Sequence, residues 1–190
     1  MIDVQKGELL GEEITGIPIM AGAAGRHARV RELVARAREA GIPVVFIQEV
    51  HKPSGVDFGR ELDGAEGPHC VEGELATELA DGLEPELDEY LIRKRRYSGF
   101  FGTELDLVLR SYGAETLVLV GALTDVCVHY TAVDAHQHDY RFRVVEDCVG
   151  GSSVEAHDAS LRAMAYLQRD ARVTSAEVLE AFSELAQPVA

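Results

Sequence analysis

The chain alternates short runs of β-branched and aliphatic residues with stretches in which apolar positions recur every three or four residues. "IPVVFIQEV" (42–50), "YLIRK" (90–94), "TLVLVGA" (116–122), "RFRVVED" (141–147) and "ARVTS" (171–175) read as strands. Several are apolar at consecutive positions, as strands covered on both faces must be. Met1, Ile2 and Asp3 read as the end of a further strand. Residues 23–40 carry Val30, Leu33, Val34 and Ala37 on one helical stripe, and Gly41 follows as a stop. Leu105, Val108, Leu109 and Tyr112 repeat that spacing ahead of Gly113. Ser152 with Glu155, and Thr174 with Glu177, have the spacing of capping boxes and predict two more helix starts. Strands and helices in alternation predict an α/β fold. It is a three-layer α/β/α sandwich with a mostly parallel, Rossmann-like central sheet, built by residues 1–190 as a single domain. Residues 51–73, rich in Gly, Pro and charge, form the one long irregular stretch and are expected to wall a pocket.

Composition narrows the partners. The 190 residues are 46% apolar, enough for a sizeable core. Against 18 basic residues stand 33 acidic ones, a formal net charge of −15. That balance argues against nucleic acid and anionic membrane, and for small molecules. Three cysteines, Cys70, Cys127 and Cys148, are too few and too odd in number for a disulfide framework. A reducing, cytoplasmic setting is the expectation, with neither a signal peptide nor a membrane span in the sequence.

Open α/β sheets bind ligands beyond the carboxyl ends of their strands. Three chemically capable residues fall at such places. Asp3 ends "MID", Lys94 ends "YLIRK", and Cys127 follows "TLVLVGA" at a strand-to-helix turn. If Thr124 caps that helix, Cys127 sits in its first turn, where the helix dipole and a nearby ammonium favour thiolate. Cys148 reads as structural and Cys70, beside His69, as incidental. His129, His136 and His138 read as polar helix positions.

Together, "IDVQ", "KRRYSGFFGT" and "GALTDVCV" resemble, in this order and spacing, the isochorismatase-like cysteine hydrolases. That group includes nicotinamidases and the carbamoyl and ureido amidohydrolases. The resemblance runs from Ile2 to about Leu167 and implies the isochorismatase-like hydrolase fold. It also implies a catalytic triad of Asp3, Lys94 and Cys127. The implied oxyanion hole uses the backbone N–H groups of Leu123 and Cys127, with a cis peptide at Ala122–Leu123. One departure stands out: only Met1 and Ile2 precede Asp3, where the family has a longer apolar strand. A strand so abbreviated is expected to hold Asp3 less firmly.

The implied activity is hydrolysis of a small amide or ureido compound through a thioester, and "DFGRELDG" adds to the likeness with the ureido branch. The presence of Cys127 speaks against isochorismatase activity, which dispenses with that thiol. Glu49, His51 and His69 match the nicotinamidase metal positions, with Glu49 where the family has Asp. The His-x-Ser-Phe segment of nicotinamidases is missing, so neither metal nor other cofactor is expected. A metal-dependent nicotinamidase-like amidase and a catalytically silent binding module are the alternatives. The intact triad opposes the second, and no G-x-G-x-x-G follows a strand to support a dinucleotide enzyme. The resemblance also implies a homo-oligomer, a dimer or tetramer. Phe100 and Phe101 are candidates to meet a neighbouring subunit, and the Arg93–Arg96 run could pair with acidic residues across such an interface.

Overall fold

A computed structural model describes residues 1–64 and 66–185. Two single-turn helices, α1 (Gly7–Leu10) and α2 (Glu12–Thr15), and the long α3 (Ala23–Glu39) precede β1 (Val45–Glu49) and β2 (Tyr90–Lys94). Then come α4 (Leu105–Ser111), β3 (Thr116–Ala122), α5 (Cys127–Gln137), β4 (Arg141–Gly150), α6 (Val154–Leu167), β5 (Arg172–Val173) and α7 (Ser175–Leu185). The paired strands are all parallel. β2 lies beside β1, and β4 lies between β3 and β5. Ile2 joins the two halves by bridging to Ile47 and to Gly121. The sheet therefore reads β2, β1, Ile2, β3, β4, β5.

Alternation along each strand builds two cores. Phe46, Val120 and Val145 cluster with Val30, Leu33 and Val34 of α3 and with Val178 and Phe182 of α7. Their neighbours Ile47, Leu119 and Val144 cluster on the other face with Leu105 of α4, Val128 of α5 and Met164 of α6. A strand buried on both faces has no polar side, which is why the runs at 42–50 and 116–122 are almost wholly apolar. The predicted three layers are present.

Boundaries differ where backbone chemistry intervenes. β1 starts at Val45 rather than Ile42, because Pro43 brings no N–H to a ladder. β4 runs on to Gly150, and β5 shrinks to Arg172–Val173. The cap of α6 is Ser153, not Ser152: its Oγ accepts from the Ala156 amide at 3.1 Å. Ser152 instead donates its hydroxyl to Asp125 at 2.6 Å and its amide to the same carboxylate at 2.9 Å. Hydrogen bonds to an ionised acceptor are the stronger kind, so Asp125 holds Ser152 one residue outside the helix. The second capping box is as predicted, with the Thr174 amide on Glu177 at 2.7 Å and the Glu177 amide on the Thr174 hydroxyl at 3.4 Å.

The short central strand is held tightly. Ile2 donates to the Val120 carbonyl and Asp3 to the Ile47 carbonyl, both at 2.9 Å. Asp3 Oδ1 also accepts the Glu49 amide at 2.7 Å. The expected looseness is thus offset by hydrogen bonds from both neighbours. Gly121 makes the approach possible. Its φ is 123°, and a Cβ there would stand 1.8 Å from the Ile2 carbonyl oxygen. Beside Met1 the sheet is less complete, and an apolar cavity of about 280 Å³ lies among Val44, Val45, Leu109, Leu117 and Phe182. Among the described residues, no helix is long and apolar enough to cross a membrane.

Candidate active site

Four side chains converge at the carboxyl edge of the sheet. Asp3 follows Ile2, Glu49 closes β1, Lys94 closes β2, and Cys127 opens α5 just beyond β3. Glu49 and Lys94 are register partners, so their side chains leave the same face of the sheet. The Lys94 ammonium lies 2.8 Å from Asp3 Oδ2 and 3.3 Å from Cys127 Sγ, and it also contacts Glu49 Oε2. Cys127 Sγ in turn stands 3.3 Å from Glu49 Oε2. All three residues singled out as a triad meet here. Glu49 is the member that sequence reasoning missed, having considered it only as a metal ligand. The available signal was its place at the end of a strand adjacent to the one that carries Lys94.

Burial and charge set the protonation states. Lys94 is 1% exposed, and an unpaired ammonium there would lose its proton. Burial pulls its pKa down, but Asp3, Cys127 and Glu49 more than reverse this and hold it well above the ordinary value. Burial likewise raises Glu49, yet Lys94 and hydrogen bonds from His51 and His69 keep it well below the carboxylate range. Asp3 goes the other way. Burial, aided by the nearby Glu49 charge, outweighs the pull of Lys94 and brings it to about 6.

Cys127 departs from expectation. Burial and then the neighbouring carboxylates push its thiol well above the ordinary value, with Lys94 opposing. Its helix begins at Cys127 itself, with Val126 at the cap position and no side-chain cap. Thr124 is not the cap, because its hydroxyl is paired with His157 Nδ1 at 2.9 Å. A helix terminus is worth about 1 kcal/mol to an anion, under one pKa unit. Full burial moves a pKa by up to ~3–5 units. Burial wins, and the resting group is a thiol poised against carboxylates rather than a preformed thiolate.

The Ala122–Leu123 peptide is cis. Among the described residues the N–H groups of Leu123 and Cys127 have no protein acceptor, so both are free to bind an anion. Above Cys127 a cavity of about 90 Å³ opens between Ile14, Ile17, Ile19, Pro68, Tyr97 and Val126. The irregular stretch 51–73 supplies Glu66, Pro68, His69 and Cys70 to its wall, pinned by the His51 amide on the Cys70 carbonyl at 2.8 Å. Cys70 therefore belongs to the cavity rather than being incidental, and burial pushes its thiol well up. Cys148 packs in the core beside Val145, and burial raises it to about 12. Of the helix histidines, His129 is half-buried and bonded to the Ser160 hydroxyl at 2.7 Å, not merely a polar surface position.

Behind Glu49 lies a second cluster. Glu49, His51, Glu61 and His69 are all buried and offer ligand atoms within 4.8 Å of one another. Glu49 Oε1 stands 3.0 Å from His69 Nε2, and Glu61 Oε2 stands 3.2 Å from His51 Nε2. Burial lowers the His51 pKa, but Glu49 and Glu61 bring it to about 9. Glu61 was not foreseen, since it lies within the irregular stretch. Among the described residues, neither of its buried oxygens has a well-formed hydrogen bond, nor has His51 Nδ1. Two imidazoles and two carboxylates with unsatisfied atoms are a donor set that fits a zinc, manganese or iron ion.

Residues 1–178 match the family described as the isochorismatase domain. The chain belongs to the isochorismatase family. The motifs at Asp3, Lys94 and Cys127 had pointed there. It is 32% identical over 151 residues to a ureidoacrylate amidohydrolase of Rhizobium rhizogenes, an alignment that takes in 71% of this chain and 61% of the relative. The chain thus spans about three fifths of the ureidoacrylate amidohydrolases that it matches. A maleamate amidohydrolase of Pseudomonas putida is 32% identical over 166 residues, covering 85% of this chain and 75% of that protein. Among solved structures, N-carbamoylsarcosine amidase from Thermoplasma acidophilum superposes with a TM-score of 0.74 at 30% identity, over 92% of this chain and 93% of that one. As an isochorismatase family member the chain has the α/β fold that its pattern predicted.

Proposed function

We propose that this family member is a cysteine amidohydrolase that cleaves the C–N bond of a small amide or ureido compound through a thioester. The observation that carries the reading is Lys94 Nζ lying within 3.3 Å of both Asp3 and Cys127 Sγ beneath an open cavity. Asp3 is the general base. At about 6 its pKa is closer to neutrality than that of Glu49, which stays ionised and keeps Lys94 in place. The thiol proton passes to Asp3 as Sγ attacks the carbonyl carbon, and the Leu123 and Cys127 N–H groups receive the oxyanion. Asp3 then returns the proton to the departing nitrogen, leaving a thioester and ammonia or an amine. Water deprotonated by Asp3 attacks the thioester; the acid leaves and the thiol is restored. Charge inside the site is conserved at each transfer, which burial of the site requires.

Ammonia release across a panel of small amides and ureido compounds tests the reading directly. Turnover of none of them, by protein with intact Cys127, would overturn it. The pH profile is a second check. Asp3 must be ionised to accept the thiol proton, so kcat/KM is expected to fall as pH drops through about 6 and to level off above it.

The family's nicotinamidase branch binds a divalent ion, and here Glu49, His51, Glu61 and His69 would hold it. When bound, such an ion supplies Lewis-acid polarisation of a coordinated oxygen or nitrogen. The steps at Asp3, Lys94 and Cys127 draw on none of this. Turnover is expected to survive dialysis against a strong chelator. Loss of activity, restored by zinc or manganese, would replace the proposal with the metal-dependent reading. A homo-oligomer, dimer or tetramer, belongs to the same proposal. Phe101 is 66% exposed and available to a partner, whereas Phe100 stacks on His138 within its own chain. Within its own chain, Arg93 of the arginine run pairs with Glu72 and Arg95 with Asp57.

A further inference from the structure

The relatives named above act on ureidoacrylate and maleamate, and each of those compounds carries a carboxylate. A cavity that accepts such an anion has to supply a cation or a set of free donors to it. The charged side chains of the cavity over Cys127 do the reverse. Its charged wall consists of Asp3, Glu8, Glu49, Glu66 and Glu74, and no lysine or arginine is found among the described residues that line it. The nearby cations are already committed. Lys94 is held by Asp3, Glu49 and Cys127. Arg26, behind Glu8, gives Nε and one terminal nitrogen to that carboxylate and its remaining bonds to the Met20 and Ala21 carbonyls. His69 spends Nε2 on Glu49 and Nδ1 on the Gly67 carbonyl.

Glu66 is the acidic wall residue that the irregular stretch supplies. Its closest cation is His69 Nε2 at 3.8 Å, beyond hydrogen-bond range. Gln5 and Thr15, also in the wall, donate to backbone carbonyls, and Ile14, Ile17, Ile19 and Val126 offer nothing to an anion, which leaves the Tyr97 hydroxyl and the Leu123 and Cys127 N–H groups as neutral donors. A substrate carboxylate would therefore be stripped of water beside several negative charges, with neutral donors but no uncommitted cation to pair with.

We propose that the cavity is selective by charge: it takes an uncharged or cationic amide or ureido compound, rejects carboxylate-bearing ones, and uses Glu66 as the discriminating residue. This rests on the reading of the Cys127 cavity as the substrate site. Selectivity of this kind is negative, built from repulsion of the wrong ligand as much as from contact with the right one.

Iodoacetamide and iodoacetate test it without any turnover. They are similar in size, alkylate the same thiolate and differ in bearing an amide or a carboxylate, so the thiol's own pKa cancels from their rate ratio. The ratio at Cys127, followed by peptide mass spectrometry, is expected to exceed that for free mercaptoethanol by at least about tenfold. Glu66→Gln should lower it several-fold and Glu66→Lys further still. A wild-type ratio at or below the mercaptoethanol value overturns the proposal, as does failure of both reagents to reach Cys127. A ratio unmoved in both variants removes Glu66 from its role. The amidase reading fails separately: absence of ammonia from every neutral amide defeats that reading, while the alkylation ratio still decides this one.

Discussion

Replacing Cys127 with serine is expected to remove nearly all turnover while leaving the fold intact. Serine fits the same space at the start of α5, so the packing of Val128 and Ala132 behind it is undisturbed. The chemistry does not survive the exchange. A hydroxyl is far less acidic than a thiol, and a base near pKa 6 is too weak to generate an alkoxide in this site. The same reasoning orders the cysteines in a labelling experiment. Cys148 is buried in the core with its pKa near 12. Cys70 lines the cavity, but burial leads its upward shift, and among the described residues its sulfur is met by the Gln5 amide rather than by an ammonium. Cys127 has Lys94 at 3.3 Å and a carboxylate ready to take its proton. Iodoacetamide is therefore expected to modify Cys127 first. Full activity in the serine variant, or modification of Cys70 ahead of Cys127, would remove the thiol from the mechanism.

The parts of the molecule legible in the sequence are those governed by local periodicity. Runs such as "TLVLVGA" are apolar on both faces because β3 lies between two helical layers, and a run of that kind has little other use in a chain this size. Asp3, Lys94 and Cys127 could be placed at one edge because parallel strands all end on the same side. What escaped was decided by contacts between residues distant in sequence. Whether Ser152 or Ser153 caps α6 depends on Asp125, 27 residues away. Thr124 looks like a cap until His157 arrives from another helix to claim its hydroxyl. Glu61 lies in a stretch without periodicity, so nothing local marks it as a neighbour of His51. The thiolate expectation failed for a related reason. A turn at a helix start is visible in sequence, but the depth of burial that overrides the dipole is a property of the whole fold.

Asp3→Asn and Lys94→Ala are each expected to lower turnover by at least ~100-fold, through different routes that the pH profile separates. Asparagine keeps the shape of Asp3 and can still accept the Glu49 amide through its carbonyl oxygen. It takes no proton from Sγ, so the acid limb near pH 6 should vanish along with most of the rate. Glu49 cannot stand in, because Lys94 and the two histidines hold its pKa too low for it to be an effective base. Lys94→Ala removes the cation shared by Asp3 and Glu49. Leaving carboxylates unpaired in a buried site costs about 3–5 kcal/mol if both stay ionised. One of them will instead retain a proton to higher pH, so the residual activity should show its acid limb moved upward from about 6. Removal of the positive charge also leaves the thiolate without the ammonium beside it, and this compounds the loss. Lys94→Arg restores charge but not the compact ammonium that reaches Asp3, Glu49 and Cys127 together. It should recover stability more than turnover. Circular dichroism and thermal melts on all three variants distinguish a chemical defect from an unfolded chain. An acid limb that stays near pH 6 in Asp3→Asn would transfer the base role to another group, and wild-type turnover in Lys94→Ala would dissolve the triad.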